Sequence, residues 1–147
     1  MKNQGEKRIF EILFVEDNPA DVLLITAAFK KERIQCHLNA VGDGEEALNY
    51  LNRKGKYAEV KTPDIILLDL NLPRMDGRTF LRRVKSEGLF KSIPVIVLTN
   101  SQSDYGMSVP CFLVKPSDLN GYTKTVKKIQ DFWRTVVPLH PQPNSAA

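Results

Sequence analysis

The chain lacks the features that mark membrane proteins, exported proteins and disulfide scaffolds. No segment approaches the roughly 18 consecutive apolar residues of a membrane span. Residues 1–8 are polar and charged, without the apolar core of a secretory signal, so we expect a cytoplasmic protein with no membrane partner. The only two cysteines, Cys36 and Cys111, lie in apolar runs, where we expect buried and reduced thiols.

Several common ligand-binding patterns are also missing. No CxxC pair is present, and His37 and His140 lie far apart, which disfavours a structural zinc site. Neither GxGxxG nor GxxxxGK[ST] occurs, which disfavours a nucleotide-binding loop. The net charge of +4 is modest, and its basic residues near the C-terminus have no interleaved aromatic residues. We interpret them as a solvated helix face and expect no nucleic-acid partner.

Short apolar runs alternate with segments of helical periodicity. The runs predict strands at residues 9–15, 38–41, 65–68, 93–98 and 111–114. Helices are predicted at residues 19–32, 44–54, 78–86 and 119–137, the first with Asn18 as N-cap and Pro19 in its first turn. Residues 55–63 are predicted to form a polar loop. Because the third, fourth and fifth runs have no polar alternation, we expect these strands to be buried on both faces of a parallel sheet.

This alternation predicts one α/β domain with an open, doubly wound, five-stranded parallel sheet. Its predicted bounds are residues 9–137, between a polar N-terminal segment (1–8) and a proline-rich tail (138–147). Functional residues of such sheets lie at the carboxyl ends of the strands.

Polar residues follow four of the five predicted strands. Glu16 and Asp17 follow the first, Asp69 and Asn71 the third, Thr99 the fourth, and Lys115 with Pro116 the fifth. Each has an ordinary structural explanation: the acids as caps or turn formers, Thr99 as a strand end, Lys115 as a surface lysine, and Pro116 as the site of a cis bond. Together at one sheet edge, they favour a functional site.

The chemistry of this set follows from charge. Three crowded carboxylates raise one another's pKa, and a divalent cation removes that cost. Oxygen ligands favour a hard ion such as Mg²⁺. A carboxylate beside the ion can attack a phosphoryl donor, while a lysine and a hydroxyl stabilise the charge on the phosphoryl oxygens.

In this order, these residues resemble the receiver domains of two-component response regulators. The segments ILFVEDN, DIILLDLNLPRMDG, IPVIVLT and CFLVKP carry the resemblance. It implies a flavodoxin-like fold, phosphorylation of Asp69 by a histidine kinase, and Mg²⁺ held by Glu16, Asp17, Asp69 and the carbonyl of Asn71. Thr99 and Lys115 would contact the phosphoryl group.

The resemblance also implies residues that switch and tune the domain. Thr99 would move toward the phosphoryl group and Phe112 would change rotamer with it. Asn71 and Ser101 match two variable positions that tune loss of the phosphoryl group. Such a receiver is not an enzyme in the usual sense, since it assists only its own phosphorylation and dephosphorylation.

A narrower resemblance concerns the small regulators paired with bacterial and cyanobacterial phytochromes. It depends on the segments NRKGKYAEVKTPD, DLNLPRMDGR and FWRTVVPL. It implies a phytochrome-type sensor kinase as partner, a downstream protein or phosphotransfer partner, and a homodimer formed through the fourth and fifth helices and the C-terminal extension.

One segment departs from the family pattern. Residues 100–110 (NSQSDYGMSVP) are shorter than the part of a receiver that holds the fourth helix, and Gly106 and Pro110 disfavour a helix there. We therefore expect the fourth helix to be shortened or missing.

Two alternatives use the same residues differently. A pseudo-receiver would bind partners without phosphorylation chemistry, although the acceptor and lysine are both present. A phosphatase of the haloacid dehalogenase type requires a second acid two residues after the nucleophile, where this chain has Asn71.

Overall fold

The structure, a computed structural model, describes residues 9–99 and 111–136. The strands are β1 (Phe10–Val15), β2 (Cys36–Val41), β3 (Ile65–Leu68), β4 (Val95–Thr99) and β5 (Cys111–Val114). The α-helices in these residues are α1 (Pro19–Lys31), α2 (Gly44–Leu51), α3 (Gly77–Ser86) and α4 (Leu119–Val136). Among the described helices, none is both long enough and apolar enough to cross a bilayer.

The five strands form one parallel sheet in the order β2-β1-β3-β4-β5. Every residue of β1, β3 and β4 is buried, as a central strand covered on both faces requires. The predicted doubly wound α/β fold with five parallel strands is therefore confirmed.

Each face of the sheet carries its own apolar core. Alternate residues of a strand point to opposite faces, so Leu67 and Leu68 of β3 belong to different cores. The Leu68 core packs on α2 and α3, with Ala47, Phe80 and Val84 fully buried. The Leu67 core packs on α1 and α4. The sheet edge where the strands end is left between these two layers of helices.

Each of the four described α-helices begins at a residue whose side chain caps it, and for α4 this is Asp118, which accepts from Gly121 N–H at 2.8 Å. Asn18 Oδ1 accepts a hydrogen bond from the N–H of Ala20 at 2.9 Å, and Pro19 occupies the first turn, as predicted. Asp43 caps α2 through Glu46 N–H at 2.8 Å, and Asp76 caps α3 through Thr79 N–H at 3.0 Å. All four caps follow strands, so they fix where the chain turns back at the functional edge.

The prediction that β5 is buried on both faces is wrong. The first three residues of β5 are half-buried, and Val114 is 45% exposed. In the described sheet β5 pairs only with β4, so it is an edge strand.

The two cysteines are free but only half-buried, because both stand on edge strands. Burial still raises the pKa of Cys36 to about 11, with the nearby Glu11 carboxylate adding to the shift.

Other differences concern local backbone conformation. The second helix ends at Leu51, three residues before its predicted end at residue 54, because Arg53 has a left-handed backbone with φ of 56°. The predicted polar loop contains one short 3-10 helix, Gly55–Tyr57. The second strand begins at Cys36 and the fourth at Val95, each two residues from its predicted start. No peptide bond in the described parts of the chain is cis, so Pro116 does not hold a cis bond there.

Some predictions fall on residues outside the described ranges. The shortened fourth helix and Ser101 fall within residues 100–110, and the polar N-terminal segment and proline-rich tail fall in residues 1–8 and 137–147.

Candidate phosphoacceptor site

The predicted site residues meet at one edge of the sheet because the backbone pairing continues past the strands. Asp69 N–H donates to the carbonyl of Val15 at 3.0 Å, which places Asp69 beside the end of β1. On the other side, Lys115 N–H donates to the carbonyl of Thr99 at 2.7 Å. The ends of β1, β3, β4 and β5 thus lie side by side, as the sequence predicts.

Three carboxylates form the centre of this edge. Glu16, Asp17 and Asp69 each offer one oxygen, and these oxygens all lie within 4.8 Å of one another. Glu16 and Asp69 are buried, whereas Asp17 is exposed to solvent. The three carboxylates are therefore enclosed by protein at Glu16 and Asp69 and open to solvent at Asp17. An ion or a small molecule can reach them from the Asp17 side.

Backbone groups orient the two buried carboxylates. Glu16 Oε2 accepts a hydrogen bond from Asn18 N–H at 3.0 Å, and Asp69 Oδ1 accepts one from Asn71 N–H at 3.1 Å. Glu16 Oε1 is buried without an aligned hydrogen bond, although it lies 2.7 Å from the Lys115 ammonium. Burial raises the pKa of Glu16 to about 7, Lys115 opposes the rise, and the Asp69 charge adds to it.

Lys115 is the cationic residue of the site. Its ammonium lies 2.7 Å from Glu16 Oε1, 3.1 Å from Asp69 Oδ2 and 3.3 Å from Asp21 Oδ2, and its side chain is only 9% exposed. Burial lowers the pKa of Lys115, but the contacts with Glu16 and Asp69 outweigh it and raise the pKa above its usual value. Lys115 is therefore charged and close to the oxygens of Asp69.

The two predicted switch residues lie where the sheet register places them. Thr99 is the last residue of β4 and is fully buried. Phe112 stands on β5, paired in register with Val97, and packs against the core on the α2–α3 side of the sheet. Asn71 is an exposed residue of the turn after Asp69, which it contacts through its N–H.

Gly77 is a residue that sequence reasoning missed. A Cβ atom at this position would lie 2.5 Å from Leu70 Cα and 2.6 Å from the carbonyl oxygen of Asp69, and real Cβ atoms do not approach so closely. The Gly77 N–H also donates to the carbonyl of Leu70 at 3.0 Å. The chain after Asp69 thus folds back against the backbone of Asp69 and Leu70, and only glycine fits there. A glycine at the start of a predicted helix was the available signal.

Asp21 and Tyr122 were also missed as parts of the site. Asp21 lies in the first turn of α1, and Tyr122 is one of the buried residues of α4. The structure joins them, since the Tyr122 hydroxyl donates to Asp21 Oδ1 at 2.8 Å. A tyrosine in a buried stripe indicates that its hydroxyl has a polar partner, but not which one.

Comparisons with known proteins identify the family. Residues 12–127 match the response regulator receiver domain. Response regulator Rcp1 of Synechocystis sp. is 39% identical over 134 residues, which span 87% of this chain and 91% of Rcp1. The chain belongs to the response regulator receiver family.

Solved structures of phytochrome response regulators have the same fold. The phosphorylated cyanobacterial phytochrome response regulator RcpA superposes with a TM-score of 0.78 at 39% identity, covering 88% of this chain and 96% of RcpA. The Mn²⁺-bound form of Rcp1 gives a TM-score of 0.75 at 38% identity, covering 84% of this chain and 94% of Rcp1. The predicted receiver family is therefore confirmed, as is the predicted resemblance to phytochrome response regulators.

Proposed function

We propose that the protein is a phosphoacceptor response regulator in which a histidine kinase phosphorylates Asp69. The observation that supports this most directly is the geometry around Asp69, a buried carboxylate with one oxygen 3.1 Å from the Lys115 ammonium and the other held by the Asn71 N–H. The family membership and the likeness to a phosphorylated phytochrome response regulator point to the same residue.

The proposed reaction is a displacement at phosphorus. A carboxylate oxygen of Asp69 forms a bond to phosphorus while the bond between phosphorus and the histidine nitrogen breaks, and the electron pair of that bond stays with the nitrogen. Lys115 stabilises the negative charge on the phosphoryl oxygens, and the hydroxyl of Thr99 donates to one of them. The histidine nitrogen that keeps the electron pair takes up a proton from water, so the kinase histidine leaves as a neutral imidazole.

The acidic group fits a magnesium ion. It offers one oxygen each from Glu16, Asp17 and Asp69, and Glu16 has a buried oxygen, Oε1, without an aligned hydrogen bond. We infer that these residues, with the carbonyl of Asn71, hold Mg²⁺, which would neutralise charge on the transferring phosphoryl group. The related protein Rcp1 has been solved in a Mn²⁺-bound form, which supports the inference of a divalent ion in this protein.

Phosphorylation would change which proteins the domain binds, and would not turn on an enzymatic activity. New charge on Asp69 would draw Thr99 inward and change the rotamer of Phe112, shifting the population between two packings of the β4–β5 edge. Asn71 and Ser101 would tune how long the phosphoryl group lasts. We further propose that the domain spans residues 9–137, which contain the matched range 12–127.

The partners follow from the phytochrome-associated relatives. We propose a phytochrome-type sensor kinase as the phosphoryl donor, a downstream protein or phosphotransfer partner as the target, and a homodimer. Similarity to Rcp1 and RcpA supports the kinase class.

Phosphotransfer from a kinase tests this function. A bacteriophytochrome-type histidine kinase is autophosphorylated with radiolabelled ATP, freed of ATP, and mixed with the protein in Mg²⁺. We expect label to pass to the wild type and to Asp64→Asn, which changes a buried aspartate at the other end of the same strand. Asp69→Asn should accept none. Equal labelling of Asp69→Asn would refute the proposed acceptor.

A further inference from the structure

Lys115 has one carboxylate partner that does not belong to the acidic group. Of the three carboxylates that contact its ammonium, Glu16 and Asp69 are members of the group, whereas Asp21 comes from the first turn of α1. Asp21 Oδ2 lies 3.3 Å from the Lys115 nitrogen, and the Asp21 side chain is 13% exposed. This contact is therefore largely shielded from water and from salt.

The second oxygen of Asp21 is held from another helix. The Tyr122 hydroxyl of α4 donates to Asp21 Oδ1 at 2.8 Å, across 101 residues of sequence. Tyr122 is fully buried in the core between the sheet, α1 and α4. Because a buried ring has little freedom to move, its hydroxyl fixes the orientation of the Asp21 carboxylate.

The reaction needs a lysine that is held in place. A lysine ammonium is a point charge with three donors on a flexible four-carbon stem, so its direction must come from its partners. When Glu16 and Asp69 turn their oxygens to a cation and a phosphoryl group, they become poorer anchors for Lys115. Asp21 can keep its contact with Lys115 throughout the reaction. The remaining N–H groups of the Lys115 ammonium are then free to reach Asp69 and the phosphoryl oxygens.

We propose that Asp21 is a positioning residue for Lys115 and that Tyr122 holds Asp21 for this task. The inference rests on the proposed phosphorylation of Asp69 and deepens it. Asp21 and Tyr122 act through Lys115 and touch no reacting atom.

The competing explanation is that Asp21 only stabilises the fold, because its hydrogen bond with Tyr122 connects α1 to α4. A second ion pair provides the control, since Lys127 of α4 lies 3.6 Å from Glu32, which follows α1. Glu32→Gln and Asp21→Asn each remove one negative charge from a residue that contacts α4, Glu32 through Lys127 and Asp21 through Tyr122. Of the two, only Asp21 contacts Lys115. Asparagine retains an oxygen that can accept the Tyr122 hydrogen bond.

The test measures phosphorylation by acetyl phosphate at several Mg²⁺ concentrations, together with unfolding in urea and Mg²⁺ binding by calorimetry. For Asp21→Asn we expect the rate at saturating Mg²⁺ to fall about ten-fold, as for other losses of orientation near a reacting group. The Mg²⁺ dissociation constant should change less than about three-fold, since no ligand oxygen is lost and the Asp21 charge is already paired with Lys115. Glu32→Gln should react at the wild-type rate.

Tyr122→Phe removes only the hydroxyl and keeps the buried ring. Its rate should fall in the same direction but less, and the double variant Asp21→Asn with Tyr122→Phe should be no slower than Asp21→Asn alone, because both changes act through one contact. Wild-type rates in Asp21→Asn and Tyr122→Phe, or a matching loss in Glu32→Gln, would overturn the proposal.

Failure of this inference can be told from failure of the proposed function. If the wild type gains no phosphoryl group, the proposed function itself is wrong. If the wild type is phosphorylated on Asp69 and Asp21→Asn reacts equally fast, only the positioning role is wrong.

Discussion

At the residue scale, the site depends on side chains that differ in how readily a sequence reveals them. Glu16, Asp17, Asp69 and Lys115 each stand directly after an apolar strand, so the sequence places them at one edge. Asp21 belongs to a helix and Tyr122 to an apolar stripe, and their contact joins distant parts of the chain. Local patterns contain no information about such a pair, because it depends on how α1 and α4 pack.

Gly77→Ala should destabilise the protein, because a Cβ atom would meet the backbone of Leu70 and Asp69 at 2.5 and 2.6 Å. Backbone cannot yield as a flexible side chain can, so we expect a loss of about 1 to 3 kcal/mol in the free energy of unfolding, measured in urea. Gly88→Ala is the matched control, since a Cβ atom there meets nothing within 4 Å. Equal stability of the two variants would contradict the close packing of Gly77 against the backbone of Asp69 and Leu70.

At the element scale, the strand ends and helix starts are fixed by the same few residues. Asp43 caps α2, and its other oxygen binds Arg74 in the loop after the acceptor, at 3.0 Å from the Arg74 Nε. Burial raises the pKa of Asp43, but the Glu46 N–H and the Arg74 guanidinium outweigh it and hold the pKa below its usual range. One carboxylate thus secures both a helix start and a loop beside the site.

Asp43→Ala should therefore destabilise the protein more than Arg74→Ala. Loss of the cap alone is worth about 1 to 2 kcal/mol in the free energy of unfolding. Arg74 is largely exposed, so its removal should cost less. Urea unfolding of both variants measures the difference, and Asp43→Asn, which can still cap the helix, should fall between wild type and Asp43→Ala. A larger loss in Arg74→Ala would show that the loop contact matters more than the cap.

The elements themselves were largely predictable from the sequence. Apolar runs revealed β1, β3 and β4 because both faces of these strands are covered, although Glu11 interrupts the run in β1. The burial of β5 was mispredicted, since the run CFLV reads the same on an edge strand as on a central one. The early end of α2 was missed because the left-handed conformation of Arg53 has no sequence signal comparable to a glycine.

At the scale of the whole molecule, one sheet separates two cores that share every strand. Because Leu67 and Leu68 are neighbours on β3 and serve opposite cores, neither core can be lost without disturbing the other. We therefore expect the domain to unfold as one cooperative unit.

Leu67→Ala and Leu68→Ala test this coupling. Each leucine is fully buried, and each substitution should cost about 2 to 5 kcal/mol in the free energy of unfolding. Both variants should show one transition that coincides in far-ultraviolet circular dichroism and Trp133 fluorescence. Leu23→Ala, at a residue that is 71% exposed, should differ little from wild type. Separate transitions for the two probes would show that the cores unfold independently.

The most direct test of the account is whether Asp69 accepts a phosphoryl group in a magnesium-dependent reaction. The protein is incubated with acetyl phosphate, with Mg²⁺ or with a chelator, and its intact mass is followed beside that of Asp69→Asn. We predict a gain of one phosphoryl group by the wild type in Mg²⁺, and no gain with the chelator or in the variant. A folded wild type that binds Mg²⁺ and gains no mass, or a variant that gains as much as the wild type, would contradict the account.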